Sequence, residues 1–309
     1  MKDKLIKNYK LILGMILGVI ISASSVFATS VLTSDKVSYD NTNSKLSSTN
    51  IKDALDEVNT RVTTKLEEAE KSCPDGKICI TKPSSISFKS DSWETIANAV
   101  RLKDYPYQVG DTKEIDMGDL GTHTVRVANT SSCTNGETSE TACGFVVEFA
   151  DIISNHAMNL DDTNVGGWPA SKLRTYVNET VYNALPSELQ NAIATTMVIS
   201  GHGSEEKTNF AFGDKLYLLS TKEVWNGGTG FDTAESETKQ LDYYKNKGVT
   251  KSNYSGAIKQ YNGSNAEWWL RGARYSSSDL FFSVYNNGNS LPRGAAYSGV
   301  GVSPAFRIA

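Results

Sequence analysis

The sequence predicts an α+β protein with one large C-terminal head, preceded by a polar linker and a short amphipathic helix. Three observations lead there. Helix signals, a Pro followed by apolar residues at helical spacing, gather between residues 169 and 193, while alternating or continuous apolar runs lie at 122–128, 145–153 and 280–308. That segregation is not the strand-helix alternation of a parallel α/β sheet. No self-similar repeat of about 20–50 residues, the mark of a solenoid, is present.

The N-terminal elements come first. Lys2, Lys4, Lys7 and Lys10 lead an uncharged apolar run from Leu11 to Ala28 that closes on Val26-Phe27-Ala28, the pattern of a secretory signal. An uncleaved membrane anchor is the other reading, since about 18 apolar residues can span a bilayer. With either, residues 1–28 export the chain, and the remainder is secreted or stands on the extracellular face of the cell membrane. The leader holds four Lys and one Asp, so the remainder carries −7 against −4 for all 309 residues. Charge of that sign opposes the counterion release that drives nucleic-acid binding and excludes a nucleic-acid partner held by bulk charge.

Residues 29–50 are Ser, Thr, Asn and Asp with few apolar anchors, a linker composition. Ile51, Leu55, Val58 and Val62 then recur at helical spacing behind Asn50 and Asp53, a polar cap and an early acid. A helical stalk over 51–72 follows. It is too short for a stable coiled coil alone, so it packs on the head or joins copies into a homo-oligomer. Cys73 and Cys79 enclose five residues, and Cys133 and Cys143 a Thr/Ser/Glu-rich stretch. In an exported chain these read as two local disulfides, with free thiols as the alternative; the spacing does not suit zinc. Residues 73–87 are then a disulfide-tied linker and 88–309 the head.

Within the head, Thr122 to Ala128 alternates with His123, Val125 and Val127 on one face, and Phe145 to Ile153 is a continuous buried run; both predict strands. Pro169 opens a helix through Leu173, Tyr176 and Val177, and Pro186 a second through Leu189 and Ile193. Lys215 to Leu219 predicts a strand leading into a helical turn near Glu223. Leu280 to Tyr285, a hairpin signal at Asn287-Gly288, and Gly301 to Ile308 complete the strands.

Trp268-Trp269-Leu270-Arg271, followed by Gly299-Val300-Gly301-Val302-Ser303-Pro304-Ala305-Phe306, resembles a family of exported bacterial domains of unknown function, DUF6273, whose members carry WWLRS and then GVRPAF. Ser92 to Ile96, Gly110 to Thr112, Gly167-Trp168, Ser171 to Arg174, Leu185-Pro186 and Lys215 to Ser220 add to it, over about residues 88–309. Gly272-Ala273 departs from the usual Ser-Pro, and Ser303 stands where Arg is common. The end pattern also looks like the C-type-lectin-like fold of formylglycine-generating-type proteins and of retroelement-diversified receptor-binding proteins. That resemblance implies paired N- and C-terminal strands, with Thr122 to Ala128 beside Val302 to Ile308. It also implies that Trp268 and Trp269 sit in the core, where aromatic side chains contribute most, beneath a displayed C-terminal segment.

That segment, Gly272 to Ser298, is rich in Tyr, Ser, Asn and Gly with two Arg. Tyr offers a large amphipathic contact at low entropy cost and the small polar residues adapt their hydrogen bonds, as in recognition loops. The ligand-binding candidates are Arg274, Tyr275, Ser277, Tyr285, Asn286, Asn287, Asn289, Arg293 and Tyr297. A Ser/Asn/Gly bias shared by the whole chain is the alternative reading.

Catalytic signals are weak. His123 reads as structural, His156 follows an apolar run five residues after Asp151, and Gly201-His202-Gly203-Ser204 lacks the third group that would position a base. Asp161-Asp162-Thr163-Asn164 offers oxygen ligands, but no acid closes an EF-hand loop, and the cysteines read as staples rather than a formylglycine-type reactive pair. The expectation is an exported cell-surface binding protein, without catalysis, metal or cofactor, that meets an unknown protein or glycan ligand. An exported hydrolase built around His202 and a structural envelope protein are the alternatives.

Overall fold

The computed structural model describes residues 46–71 and 86–309; the predicted leader, most of the linker and the Cys73 and Cys79 pair lie outside the described residues. The chain divides into two compact units, Met1–Thr81 and Lys82–Ala309. In the first, a helix spans Ile51–Lys71. It starts where the sequence signals it: the Asn50 side chain accepts from the Asp53 amide at 2.9 Å. Glu57 accepts from Ser48 Oγ at 2.7 Å and the Ser47 amide at 2.9 Å. Those bonds, with Arg61 beside it, hold its carboxyl down to about 2. Among the described residues no helix is long and apolar enough to cross a membrane.

The second unit is α+β. Its strands are β1 (Thr112–Asp116), β2 (Thr122–Asn129), β3 (Phe145–Phe149), β4 (Ser154–Asn155), β5 (Thr196–Gly201), β6 (Asn209–Asp214), β7 (Lys259–Tyr261), β8 (Ser264–Ala266), β9 (Trp268–Ala273), β10 (Leu280–Val284), β11 (Ser290–Gly294), β12 (Gly301–Val302) and β13 (Ala305–Ile308). They form a four-stranded sheet ordered β1-β2-β3-β13, a five-stranded sheet ordered β11-β10-β9-β12-β4, and two hairpins, β5-β6 and β7-β8.

The two larger sheets share one antiparallel ribbon. β3 pairs with β13 in the first sheet and β4 with β12 in the second. The Phe145 to Ile153 run therefore leaves the first sheet after Phe149 and reaches the second at its end, where the Ile153 amide donates to the Val302 carbonyl at 2.9 Å, and the Gly301 to Ile308 run, expected as a single strand, changes sheet midway. Pro304 has no N–H to continue a ladder, so the second run breaks there, while its carbonyl accepts from the Phe149 amide at 2.9 Å. A buried network fastens the bend. Lys259 Nζ donates to Glu148 Oε2 at 2.7 Å, the Phe149 carbonyl at 2.7 Å and Ser303 Oγ at 2.8 Å. Arg126 Nε reaches the other Glu148 oxygen at 2.9 Å. Ser303 thus accepts from a cation arriving on β7. Burial lowers the Lys259 ammonium to about 8, against the pull of Glu148.

Thr122 to Ala128 and the C-terminal strand lie in one sheet but are not neighbours, because β3 runs between them. The expected edge-to-edge pairing is corrected by that strand, whose residues are all buried and so need partners on both sides. Lys215 to Leu219 forms no strand: it bends at Lys215 and Leu216, and Tyr217 alone bridges Ala305. The Asn178 side chain replaces the missing strand, accepting from the Lys215 and Leu216 amides at 3.2 and 3.1 Å and donating to the Leu216 carbonyl at 2.9 Å. The first central helix is also displaced. Gly167–Ala170 makes one turn containing Pro169, and the longer helical run over 172–184 is capped by Ser171, whose hydroxyl accepts from the Arg174 amide at 3.1 Å. The second helix, Ser187–Ala192, follows Pro186 as expected.

A Trp93–Arg101 helix, capped by Ser92, buries Trp93, Ile96 and Val100 and sets the Trp93 ring 6.2 Å from that of Phe306 on β13. Trp268 and Trp269 are fully buried. Their indole N–H groups donate to the Ala257 and His156 carbonyls at 3.1 and 2.8 Å, which removes the cost of an orphaned buried donor. Cys133 and Cys143 form the expected disulfide.

Candidate functional site

The displayed segment begins where β9 leaves the core. Arg271, last residue of the Trp-Trp-Leu-Arg motif, is buried. It makes a bidentate pair with Glu223 at 2.6 and 2.7 Å and donates to the Ile199 and Leu218 carbonyls and Thr141 Oγ1. Burial alone would raise the Glu223 carboxyl. The Arg271 charge and the bonds from Arg271, Thr141 and the Ser220 amide hold it below the usual carboxylate range. Gly272 follows because nothing larger fits: a Cβ there would lie 2.3 Å from Asp232 Oδ2. This accounts for the departure from Ser at that position.

Beyond β9 the chain turns over Asn164, which is fully buried. Its Nδ2 faces the Arg274, Ser277 and Leu280 carbonyls at 3.2, 2.9 and 3.0 Å, and its Oδ1 accepts from the Ser204 amide at 2.7 Å. One side-chain amide therefore ties the 274–280 loop to the end of the β5-β6 hairpin. Ser277 is used within this loop, donating to Asp279.

The β10-β11 hairpin then sorts the candidates onto two faces. Phe282 pairs with Pro292 and Val284 with Ser290, and Phe281 pairs with Arg293 and Ser283 with Leu291. Alternation along a strand puts the first two pairs on one face and the last two on the other. On the first face lies a cavity of about 300 Å³ lined by Trp225, Phe231, Phe282, Pro292, Arg274, Lys251, Asn289, Ser290, Gly228 and Thr229. The Arg274 guanidinium sits 4.9 Å from the Phe231 ring centroid, and Tyr275 packs its ring 5.8 Å from that of Phe231, with Lys207 Nζ 5.1 Å from the Tyr275 ring.

On the other face Arg293 is already engaged. It pairs with Glu267 through Nε at 2.9 Å and Nη2 at 3.0 Å, and its guanidinium lies 5.2 Å from the Tyr297 ring. The bond to Glu267 raises the Arg293 guanidinium against a smaller effect of burial, and Tyr297 and Tyr285 add to the rise. The connecting turn exposes Tyr285, Asn286, Asn287 and Asn289. It is clamped at Gly288, where φ is +92° and a Cβ would meet the Tyr254 carbonyl oxygen at 2.1 Å, while Trp225 Nε1 donates to the Gly288 carbonyl at 3.2 Å. The nine candidates therefore do not form one patch. Arg274 and Asn289 line the cavity with Tyr275 beside it, Arg293 and Tyr297 lie across the sheet, and Tyr285 to Asn287 form the tip.

The cavity's other wall was not found from the sequence. Its signal was the Gly227-Gly228-Thr229-Gly230 run, whose shape Glu235 sets by accepting from the Thr229 amide, Thr229 Oγ1 at 2.9 Å and the Gly230 amide at 2.9 Å. Thr221 Oγ1 joins Glu235 at 2.7 Å to Asp232 at 3.0 Å. Burial, and then the Glu235 charge, push the Asp232 carboxyl up to about 6.

The residues that the sequence offers only weakly for chemistry lie elsewhere. His202 stacks on Phe210 at 3.5 Å, bonds Glu206 at 2.8 Å and lines neither this cavity nor the one beside Arg293 and Tyr297. His123 and His156 bond the Leu120 and Ala157 carbonyls at 2.6 Å each. Asp162 accepts from the Ala296 amide at 2.9 Å; among the described residues no group of three or more His, Cys, Asp or Glu is arranged to hold a metal ion.

The sequence profile of the family described as a domain of unknown function, DUF6273, matches residues 146–309, which include β4 to β13 and the cavity. No curated protein and no solved structure is significantly similar to this chain.

Proposed function

This chain belongs to the DUF6273 family, and from that premise we propose that it is an exported cell-surface binding protein whose C-terminal segment recognises a protein or glycan partner. One observation carries the reading. The Gly272 to Ser298 segment keeps part of its polar and aromatic residues at the surface: Tyr285 and Tyr297 are 38 % and 53 % exposed, and Arg274 and Asn289 line an open cavity with Tyr275 beside it. Tyr and Arg on a face pinned by buried polar residues are suited to act as binding anchors, because little ordering remains to be done on association. The Cys133–Cys143 disulfide is compatible with an oxidising, extracellular setting. In this reading the head is a C-type-lectin-like domain, residues 1–28 are its signal or anchor, and the 51–72 helix is a stalk that assembles copies through a short coiled coil.

The test uses full-length chain on arrays of glycans and extracellular proteins, with two variant sets. Arg274→Ala, Tyr275→Ala and Asn289→Ala remove the cavity side; Tyr285→Ala and Tyr297→Ala remove the tip and the far face. Loss of a captured partner in either set, at unchanged circular dichroism and Tm, supports recognition by this segment and identifies the face. Capture that neither set weakens overturns it.

A further inference from the structure

We propose that the cavity between the β10-β11 hairpin and the Gly227–Gly230 turn is a binding site for a carboxylate carried on a ring-shaped body. The inference deepens the recognition reading and rests on it for biological meaning, but the site stands on its own geometry. Its apolar lining is Trp225, Phe231, Phe282 and Pro292. Its side-chain charges are Arg274 and Lys251, and no Asp or Glu lines it. The acids behind the wall are engaged inward, Glu235 by the amides and hydroxyls of its own turn and Asp232 by Thr221 and the Ala234 amide.

Arg274 differs from most arginines of the head. Arg126, Arg174, Arg271, Arg293 and Arg307 each pair with a carboxylate. Arg274 donates from Nε to Ser276 Oγ at 2.9 Å and lies over the Phe231 ring, and among the described residues no carboxylate meets its terminal nitrogens. The Nε bond to Ser276 and the Phe231 ring beneath the guanidinium fix its position while leaving the terminal donors for a bidentate partner, the way guanidinium recognises carboxylate. Lys251 adds a second positive charge to the lining, and Asn289 a polar group. A cavity of about 300 Å³ admits a single ring and its acid group rather than a long chain. The ligand class is thus an acidic sugar or an aromatic acid, which share the carboxylate-on-ring chemistry.

Four probes separate the requirements when titrated into full-length chain by NMR or calorimetry: D-glucuronate and benzoate (ring and charge), D-glucose (ring alone) and acetate (charge alone). The expected result is that glucuronate or benzoate binds at least about tenfold more tightly than both single-feature probes, which of the two wins identifying a sugar or aromatic source. Binding should weaken about tenfold in Arg274→Ala, less in Lys251→Ala, and not at all in Arg101→Ala, an exposed helix residue that does not line the cavity. Equal binding of acetate, of glucose, or of any probe to wild type and Arg274→Ala overturns the site, as does absence of binding by both acids. Lys251→Ala, which changes only an exposed side chain, gives the same reading if Arg274→Ala fails to fold. The two proposals fail separately. Loss of acid binding in Arg274→Ala with partner capture intact keeps the acid site and removes it from recognition. Loss of partner capture with acid binding unchanged keeps the recognition face and sinks the acid site.

Discussion

Replacing Asn164 by Leu removes, in one step, the amide that faces three carbonyls of the 274–280 loop and the oxygen that takes the Ser204 amide. Each buried backbone group left without a partner costs about 1–3 kcal/mol. The variant is expected to lose at least that much stability in urea unfolding and to show faster amide exchange confined to 203–204 and 274–280. Unchanged exchange there would remove Asn164 from its organising role. Asp232 gives the pH dependence. Its carboxyl is raised to about 6 in the fold from an ordinary value near 3.8, so the folded chain holds the proton more tightly than the unfolded chain does. Stability from this group is therefore fully present below about pH 4, is lost as pH rises through about 6, and stays lost at neutral pH. Asp232→Asn mimics the protonated form and should raise Tm at pH 7.5, with the gain fading between pH 6 and pH 4. A Tm difference that does not change with pH would contradict the assignment.

At the scale of elements, the turn that presents the tip depends on the absence of a side chain at Gly288. A methyl group there meets the Tyr254 carbonyl within van der Waals contact and imposes a positive φ on an L-residue. Gly288→Ala should cost about 1–3 kcal/mol and loosen Tyr285 to Asn289, visible as lost dispersion of their amide signals, while Cys133–Cys143 and the distant sheet are unaffected. The hairpin signal at Asn287-Gly288 was legible because turn chemistry is local. That the same hairpin shows Arg293 to one side and the cavity to the other follows from register across β10 and β11, and no property of the 272–298 composition carries it. Lys215 to Leu219 illustrates the same limit. Its apolar run identifies a buried segment, but whether such a segment joins a ladder depends on what lies beside it, and here a side-chain amide from residue 178 takes that place.

At the scale of the molecule, the two larger sheets are coupled by the ribbon of β3-β4 against β12-β13, and Arg271 joins β9 to the segments around 141, 199, 218 and 223. Arg271→Met leaves Glu223 buried without its cation, and breaking such a pair costs about 3–5 kcal/mol. The double variant Arg271→Met with Glu223→Leu should recover part of that loss, because it removes the orphaned charge as well. A double variant as destabilised as the sum of the two single ones would show that the residues act independently and not as a pair.

Local pattern by itself determined the helix over Ile51–Lys71, the cores of β2, β3 and β10, the helix after Pro186, the Cys133–Cys143 bridge and, through its motifs, the family. These are properties of spacing, turn residues and covalent chemistry between near neighbours. Only the tertiary structure decided that the two apolar runs change sheets, that β3 lies between β2 and the C-terminal strand, and that a glycine-rich turn some fifty residues upstream in sequence closes a cavity over Arg274. Those outcomes rest on pairings between distant segments, where burial, register and the fate of individual polar groups are set by partners that periodicity in a single stretch of chain does not encode.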